Sequence, residues 1–277
     1  MTAAPDGFVR VQGPAGRIWL LRAGLPLASD PERWDGWLAG REGRILTTQG
    51  GRSPSRLILL EGVGEAVVRR YLHGGALARW TRDLFPGGRR PLREIEVSER
   101  IRRKGVATPE VLAVYSRRSF SGLRRACILT RRVAEAENLR QWLGGAGRQE
   151  EQWGTMLRSV ARAVRSLHDA GCWHRDLNLG NLLAAPAGIW ILDLDGAVVK
   201  DEMEIRERGG NLMRLYRSLC KETGRGRPLS PRQRLDFLRH YARGDRALFR
   251  ELFLHLKVRW GREGLRRLFS RKRSFDP

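Results

Sequence analysis

Lysine is scarce in this chain: only five of its 53 basic residues are lysine, and the rest are arginine. Acidic residues are also few, 30 in all, which leaves a net charge of +23 over 277 residues. Cysteine occurs three times, at Cys127, Cys172 and Cys220, far apart and with no CxxC or Cys/His cluster. That spacing excludes a zinc module or a disulfide scaffold, so each cysteine reads as a small apolar residue in a reducing compartment. No apolar run approaches the ~18–20 residues of a membrane span. Met1–Asp6 has no basic region followed by an apolar core, so no secretory leader is expected and the chain is expected to stay in the cytoplasm. Repeats and low-complexity tracts are absent.

What is there is a globular composition, 41% hydrophobic and 30% charged, long enough for one or two domains. The positive excess attracts polyanions, whether nucleic acid, anionic lipid or a phosphorylated glycolipid. Charge alone does not choose among them, but no recognised nucleic-acid reader motif accompanies it.

The chain is organised around His174-Arg175-Asp176-Leu177-Asn178-Leu179-Gly180-Asn181, followed by the apolar, β-prone Ile189–Leu192 and then Asp193-Leu194-Asp195-Gly196. Asp176 and Asn181 have the spacing H-R-D-x-x-x-x-N of the protein-kinase catalytic loop, and Asp193 falls where such enzymes place a magnesium-binding aspartate. The chemistry explains the spacing. One carboxylate must accept the proton of an attacking hydroxyl, while an amide oxygen and a second carboxylate grip a cation that bridges ATP phosphates. A tight loop followed by a short hairpin can bring all three together. Asn178 is neutral and is suited to hydrogen-bonding a phosphate or sugar, or to tying the loop. Asp195 reads as a turn-stabilising acid rather than a second metal contact.

Upstream, Ile18–Leu21 reads as an edge strand, and Asp30-Pro31-Glu32 as a helix start with cap, first-turn proline and early acid. Trp34, Trp37 and Leu38 would share that helix's buried face. Gly50 and Gly51 lie in a polar turn where a kinase-like fold covers nucleotide phosphates. The strands 57–60 and 66–71 follow, and Arg69 stands where V-A-I-K carries its lysine. A helix from Pro91 to about Lys104 offers Glu94, or alternatively Glu99, as the acid to pair with Arg69. Strands at 111–115 and 126–130, joined by a basic turn, lead to Thr130–Val133 as a hinge beside an adenine. The positions from Trp153 to Leu167 recur at three and four, which predicts a buried helix stopped by Gly171. A further helix spans 211–219, and Ser230-Pro231 caps the next. Leu252–Arg273 fits either a basic amphipathic helix on a membrane or a terminal helix docked on the large lobe.

Taken together, these pieces resemble the lipopolysaccharide kinase family, most closely its 3-deoxy-D-manno-octulosonic acid (Kdo) kinases. The matching residues are Val68-Arg69-Arg70-Tyr71 with Gly74-Gly75, Arg93-Glu94, His174-x-Asp176-Leu177-Asn178-x-x-Asn181, Leu192–Asp195, and Asn211-Leu212-x-Arg214-Leu215-x-Arg217-Ser218-Leu219-x-Lys221. An arginine at position 69 is itself like this family. The chain departs from the family at Leu72-His73, where a basic pair is usual, at Leu194, where an aromatic is usual, and at Gly196. The resemblance implies an α+β, bilobal protein-kinase-like fold: a small antiparallel β-rich N-lobe, residues 1–133, and a larger helical C-lobe, residues 134–277. It implies transfer of the ATP γ-phosphoryl group, with Mg2+, to a sugar hydroxyl of Kdo on a lipid A precursor at the anionic inner-membrane surface. In this reading Asp176 is the base, Asn181 and Asp193 hold metal, and Arg69, Glu94, Gly50, Gly51 and Asn178 serve the nucleotide. The alternatives are a kinase for another acceptor, such as a heptose, small molecule or protein, and a non-catalytic lipopolysaccharide-binding module.

Overall fold

The computed structural model describes residues 3–27, 29–46, 54–72, 83–119, 122–144, 150–222 and 229–272, with the side chains of the last helix described to Gly261. Gly50 and Gly51 lie outside the described residues. The chain divides into two compact units. Unit 1 takes residues 1–102, 108–134 and 194–196, and unit 2 takes 103–107, 135–193 and 197–277.

Unit 1 is built on one antiparallel sheet. Its strands are β1 (Phe8–Gly13), β2 (Arg17–Arg22), β3 (Arg44–Ile45), β4 (Arg56–Leu60), β5 (Gly64–Arg70), β6 (Phe85–Pro86), β7 (Val111–Arg118) and β8 (Leu123–Arg131). Their order is β1-β2-β7-β8-β5-β4-β3, with β6 also beside β8. The expectation of an edge strand at Ile18–Leu21 is corrected here. β2 lies between β1 and β7, and its Trp19, Leu20 and Leu21 are all buried. The outer partner β1 carries few apolar residues, so the pattern of its sequence does not announce the strand that covers the β2 edge. The arginines at 117–118 and 124–125 also belong to strands rather than to the connecting turn. Arg124 is drawn in by donating to Ser116 Oγ at 3.0 Å and to the Gly16 carbonyl at 2.7 Å.

Each sheet face has its own apolar cluster. Helix α1 (Pro31–Ala39) begins where Asp30 accepts from the Glu32 N–H, and it packs Trp34, Trp37 and Leu38 with Trp19, Ala113, Tyr115 and Leu129. Helix α2 (Arg89–Arg103) contributes Ile95 to the opposite cluster, with Phe8, Leu20, Tyr71, Val114 and Ile128.

Unit 2 is mostly helical: α3 (Leu139–Gly144), α4 (Glu150–Asp169), α5 (Ile205–Glu222), α6 (Pro231–Ala242) and α7 (Arg246–Lys272). Strands β9 (Glu137–Asn138), β11 (Leu182–Ala185) and β12 (Gly188–Ile191) form a small sheet, while β10 (Cys172–Trp173) pairs with β13 (Val198–Val199). Val160, Ala161, Val164 and Leu167 of α4 are buried, as their spacing predicts. Ser230 and Gln233 form a reciprocal capping box at the start of α6. The first half of α7 packs on α5 and α6 through Leu252 and Leu256, while Leu254 and Val258 are exposed.

Candidate active site

The loop from His174 to Asn181 is fixed in part by hydrogen bonds to its own backbone. The Asp176 N–H donates to His174 Nδ1 at 3.1 Å, so the proton of this imidazole sits on Nε2, which donates to the Leu192 carbonyl at 2.9 Å. Burial pushes the His174 pKa down, which preserves this neutral form. Asn178 and Asn181 each donate an amide N–H to the Asp176 carbonyl, at 3.0 and 2.8 Å. Asn178 Oδ1 also accepts from the Gly180 N–H at 2.8 Å, capping a short 3-10 turn over Leu179–Asn181. The side chain of Asn178 therefore ties the loop. With Nδ2 of Asn181 committed to that bond, Oδ1 is the oxygen its side chain leaves as an acceptor.

Asp193 is brought alongside by the β11–β12 hairpin. Leu182 pairs with Ile191, and one step beyond, the Leu192 N–H donates to the Asn181 carbonyl at 2.9 Å. Asp193 follows directly, with its backbone left-handed at φ 58°. A non-glycine residue in that region is uncommon, and such positions cluster at active sites.

Helix α5 holds this loop from beneath, a role the sequence reading did not assign. Asn211 Oδ1 accepts from the His174 N–H at 3.1 Å, and its Nδ2 donates to the His174 carbonyl at 2.8 Å. The same Oδ1 accepts from His168 Nε2 at 3.2 Å, and His168 Nδ1 accepts from the Tyr241 hydroxyl at 2.7 Å. Burial lowers the His168 pKa to about 3, so the ring stays neutral. Further along α5, on the same side of the helix, Ser218 Oγ accepts from the Leu179 N–H at 3.1 Å. The clue was available: Asn211 and Ser218 are polar residues on the same helix as the apolar Leu212, Leu215 and Leu219.

In unit 1, the β5 register sets Arg69 opposite Ile128, on the face covered by α2. Arg69 donates to Glu94 Oε1, and the buried Tyr71 hydroxyl donates to Glu94 Oε2 at 2.7 Å. Burial, with the Glu94 charge next in size, raises the Tyr71 pKa well above its usual value. Glu99, the alternative partner, bonds Arg22 instead. One turn before Glu94, Arg90 grips Asp195.

The description that matches the chain over residues 40–241 is "Lipopolysaccharide kinase (Kdo/WaaP) family". The chain belongs to this family. It is 31% identical to a 3-deoxy-D-manno-octulosonic acid kinase of Xanthomonas axonopodis over 72% of this chain and 74% of that protein. The corresponding protein of Actinobacillus succinogenes is also 31% identical, over 70% of this chain and 81% of its own length. That of Xanthomonas campestris is 30% identical over 84% of both. A solved structure of WaaP in complex with acyl carrier protein covers 88% of this chain and 98% of its own, with a TM-score of 0.56 at 22% identity, which shows the kinase-like fold. This lipopolysaccharide kinase is therefore an enzyme of the phosphotransferase class with an α+β, kinase-like fold. Among the described residues, none of its helices is long and apolar enough to cross a membrane.

Proposed function

We propose that this kinase transfers the γ-phosphoryl group of ATP to a sugar hydroxyl of Kdo in the lipopolysaccharide inner core, working at an anionic membrane surface. The observation that supports it most is the single hydrogen-bonded loop and hairpin in unit 2 that carries Asp176, Asn181 and Asp193. The donor set fits Mg2+: an amide oxygen and a carboxylate are hard oxygen ligands, and a cation that keeps waters and phosphate oxygens needs few from the protein. Bound there, the ion would neutralise charge on the phosphates.

The chain's own residues do the rest by positioning and electrostatics. Asp176 orients the acceptor hydroxyl and takes its proton. Arg69, steered by Glu94, neutralises nucleotide phosphates with a planar fork where a lysine would present a point charge. The Kdo assignment is supported by the Kdo kinases that the chain resembles. The membrane surface is supported by the net charge of +23, since each basic residue near an anionic leaflet contributes about 1 kcal/mol.

The test is incubation with magnesium ATP and a panel of Kdo-containing and heptose-containing lipids, with the products weighed. A gain of one phosphate on Kdo lipids supports the reading, and phosphate on heptose lipids alone replaces it with a heptose kinase. Asp176→Asn should keep fold and nucleotide binding while losing nearly all transfer. Retained turnover would refute Asp176 as the base.

A further inference from the structure

Asp195 lies two residues after Asp193, and its side chain is held tightly. Arg90 Nε donates to both of its carboxylate oxygens, at 2.9 and 3.1 Å, and Arg90 Nη2 donates to Oδ2 as well. Nη2 also donates to the Leu72 carbonyl at 2.9 Å. The guanidinium lies 5.4 Å from the Tyr71 ring centroid and 5.8 Å from that of Phe85, so aromatic rings flank it. The two side chains are 29% and 15% exposed. The bonds to Asp195 raise the Arg90 pKa further.

Two features set this pair apart from an ordinary turn contact. First, Arg90 is one helical turn before Glu94, so the same face of α2 holds Asp195 and the acid that bonds Arg69 and Tyr71. Second, Asp195 follows closely on Asp193, whose backbone is left-handed at φ 58°. The only residue between Asp193 and Asp195 is Leu194, itself 3% exposed. A partly buried ion pair adds little net stability, because desolvation offsets attraction. A forked arginine–carboxylate pair does fix orientation.

We propose that Arg90 and Asp195 are a positioning pair for phosphotransfer. By clamping the backbone just after Asp193, they set the direction in which the Asp193 carboxylate meets the cation. The proposal rests on the reading of Asp193 as a magnesium ligand, and it gives Asp195 an indirect part in metal binding.

The test compares Asp195→Asn, Arg90→Gln, the double variant and Arg90→Lys. It uses two readouts: Mg2+-dependent binding of a fluorescent ATP analogue that cannot transfer phosphate, and steady-state transfer to the lipid panel. Removing a group that orients a metal ligand typically costs about 10–100-fold in metal affinity or activity. Asp195→Asn and Arg90→Gln should therefore each raise the Mg2+ concentration for half-saturation about tenfold or more. The double variant should be no worse than the poorer single, and the KM for the acceptor should stay put. Arg90→Lys keeps the charge but loses the fork, and it should fall between wild type and Arg90→Gln. Thermal unfolding of each variant separates loss of fold from loss of positioning. A wild-type Mg2+ requirement in Arg90→Lys and Arg90→Gln overturns the proposal. So do losses that multiply in the double variant. An effect in Asp195→Asn without one in Arg90→Gln also overturns it, by making Asp195 a direct ligand. If the wild-type protein binds nucleotide and transfers phosphate while the variants match it, the pair alone fails. If the wild type binds no nucleotide with Mg2+, the phosphotransfer reading fails and takes the pair with it.

Discussion

Replacing Asn211 with alanine tests the support beneath the catalytic loop. Asn211, His168 and His174 are each 1% exposed, so no bulk water reaches the groups left behind. The change strips partners from the His174 N–H, the His174 carbonyl and His168 Nε2. Each orphaned buried group costs about 1–3 kcal/mol. Because all three share one small space, relaxation makes their sum less than additive, and the expected loss is about 3–5 kcal/mol. Against a typical stability of about 5–15 kcal/mol the protein still folds at 25 °C. The melting temperature should drop by about 6–20 °C, at roughly 2–4 °C per kcal/mol. Asn211→Asp is the sharper control. Its oxygens can still accept from the His174 N–H and His168, but it loses the donor to the His174 carbonyl and sets a carboxylate against it. Urea and thermal unfolding measure stability, and phosphate transfer at 20 °C measures the loop. If both variants unfold within about 1 kcal/mol of wild type and turn over normally, the account of α5 as the loop's support is wrong.

Acid should weaken the same region. The unfolded chain's histidine titrates near 6.5, but folded His168 titrates near 3, so below pH 6.5 the unfolded state takes up a proton that the folded state refuses. Stability is complete above pH 6.5 and falls by about 2 kcal/mol between pH 6.5 and 5, at 1.36 kcal/mol per unit. In urea titrations across that range, His168→Gln should flatten the slope, and an unchanged slope would assign the effect elsewhere. Gly171→Ala should cost about 3 kcal/mol or more, because the new Cβ would sit 1.9 Å from the Lys200 carbonyl at a φ of 77°. Gly105→Ala, at a similar φ of 81° but with open space around it, should cost about 1 kcal/mol, and equal urea midpoints for the two would refute the steric argument. Tyr71→Phe removes a hydrogen bond to a buried carboxylate and should cost about 1.5–3 kcal/mol by thermal unfolding, with Arg69 still paired to Glu94.

What the sequence made readable was chemistry that tolerates few residue types. The spacing of Asp176, Asn181 and Asp193 was informative about the family because few residue types would serve the roles proposed for them. The arginine–glutamate contact was readable down to two candidates, since Glu94 and Glu99 sit on one helix and only the rotation of that helix against the sheet selects between them. Helices with strong three–four periodicity, such as α4, were readable for the same reason that they are stable: one face is buried. β1 was not recognised, because Phe8–Gly13 offers only Phe8, Val9 and Val11 as apolar residues, and Val9 is exposed. The inner position of β2 depends on that missing partner. The hold of Asn211 and Ser218 on the loop depends on contacts about 40 residues apart in sequence, which no local pattern encodes.

The left-handed turn of the chain at Asp193 means that the backbone opposes the residue proposed to hold the cation. Glycine there would relax the backbone at no steric cost, and asparagine would tolerate the bend nearly as well as aspartate. Of the side chains that fit this bend easily, only aspartate brings a negative charge. A valine or isoleucine appearing at this position would be rejected by the main chain before any question of catalysis arose. Evolution toward a sturdier protein would pass through Asp193→Gly, and under the proposed role of Asp193 the same step would silence it.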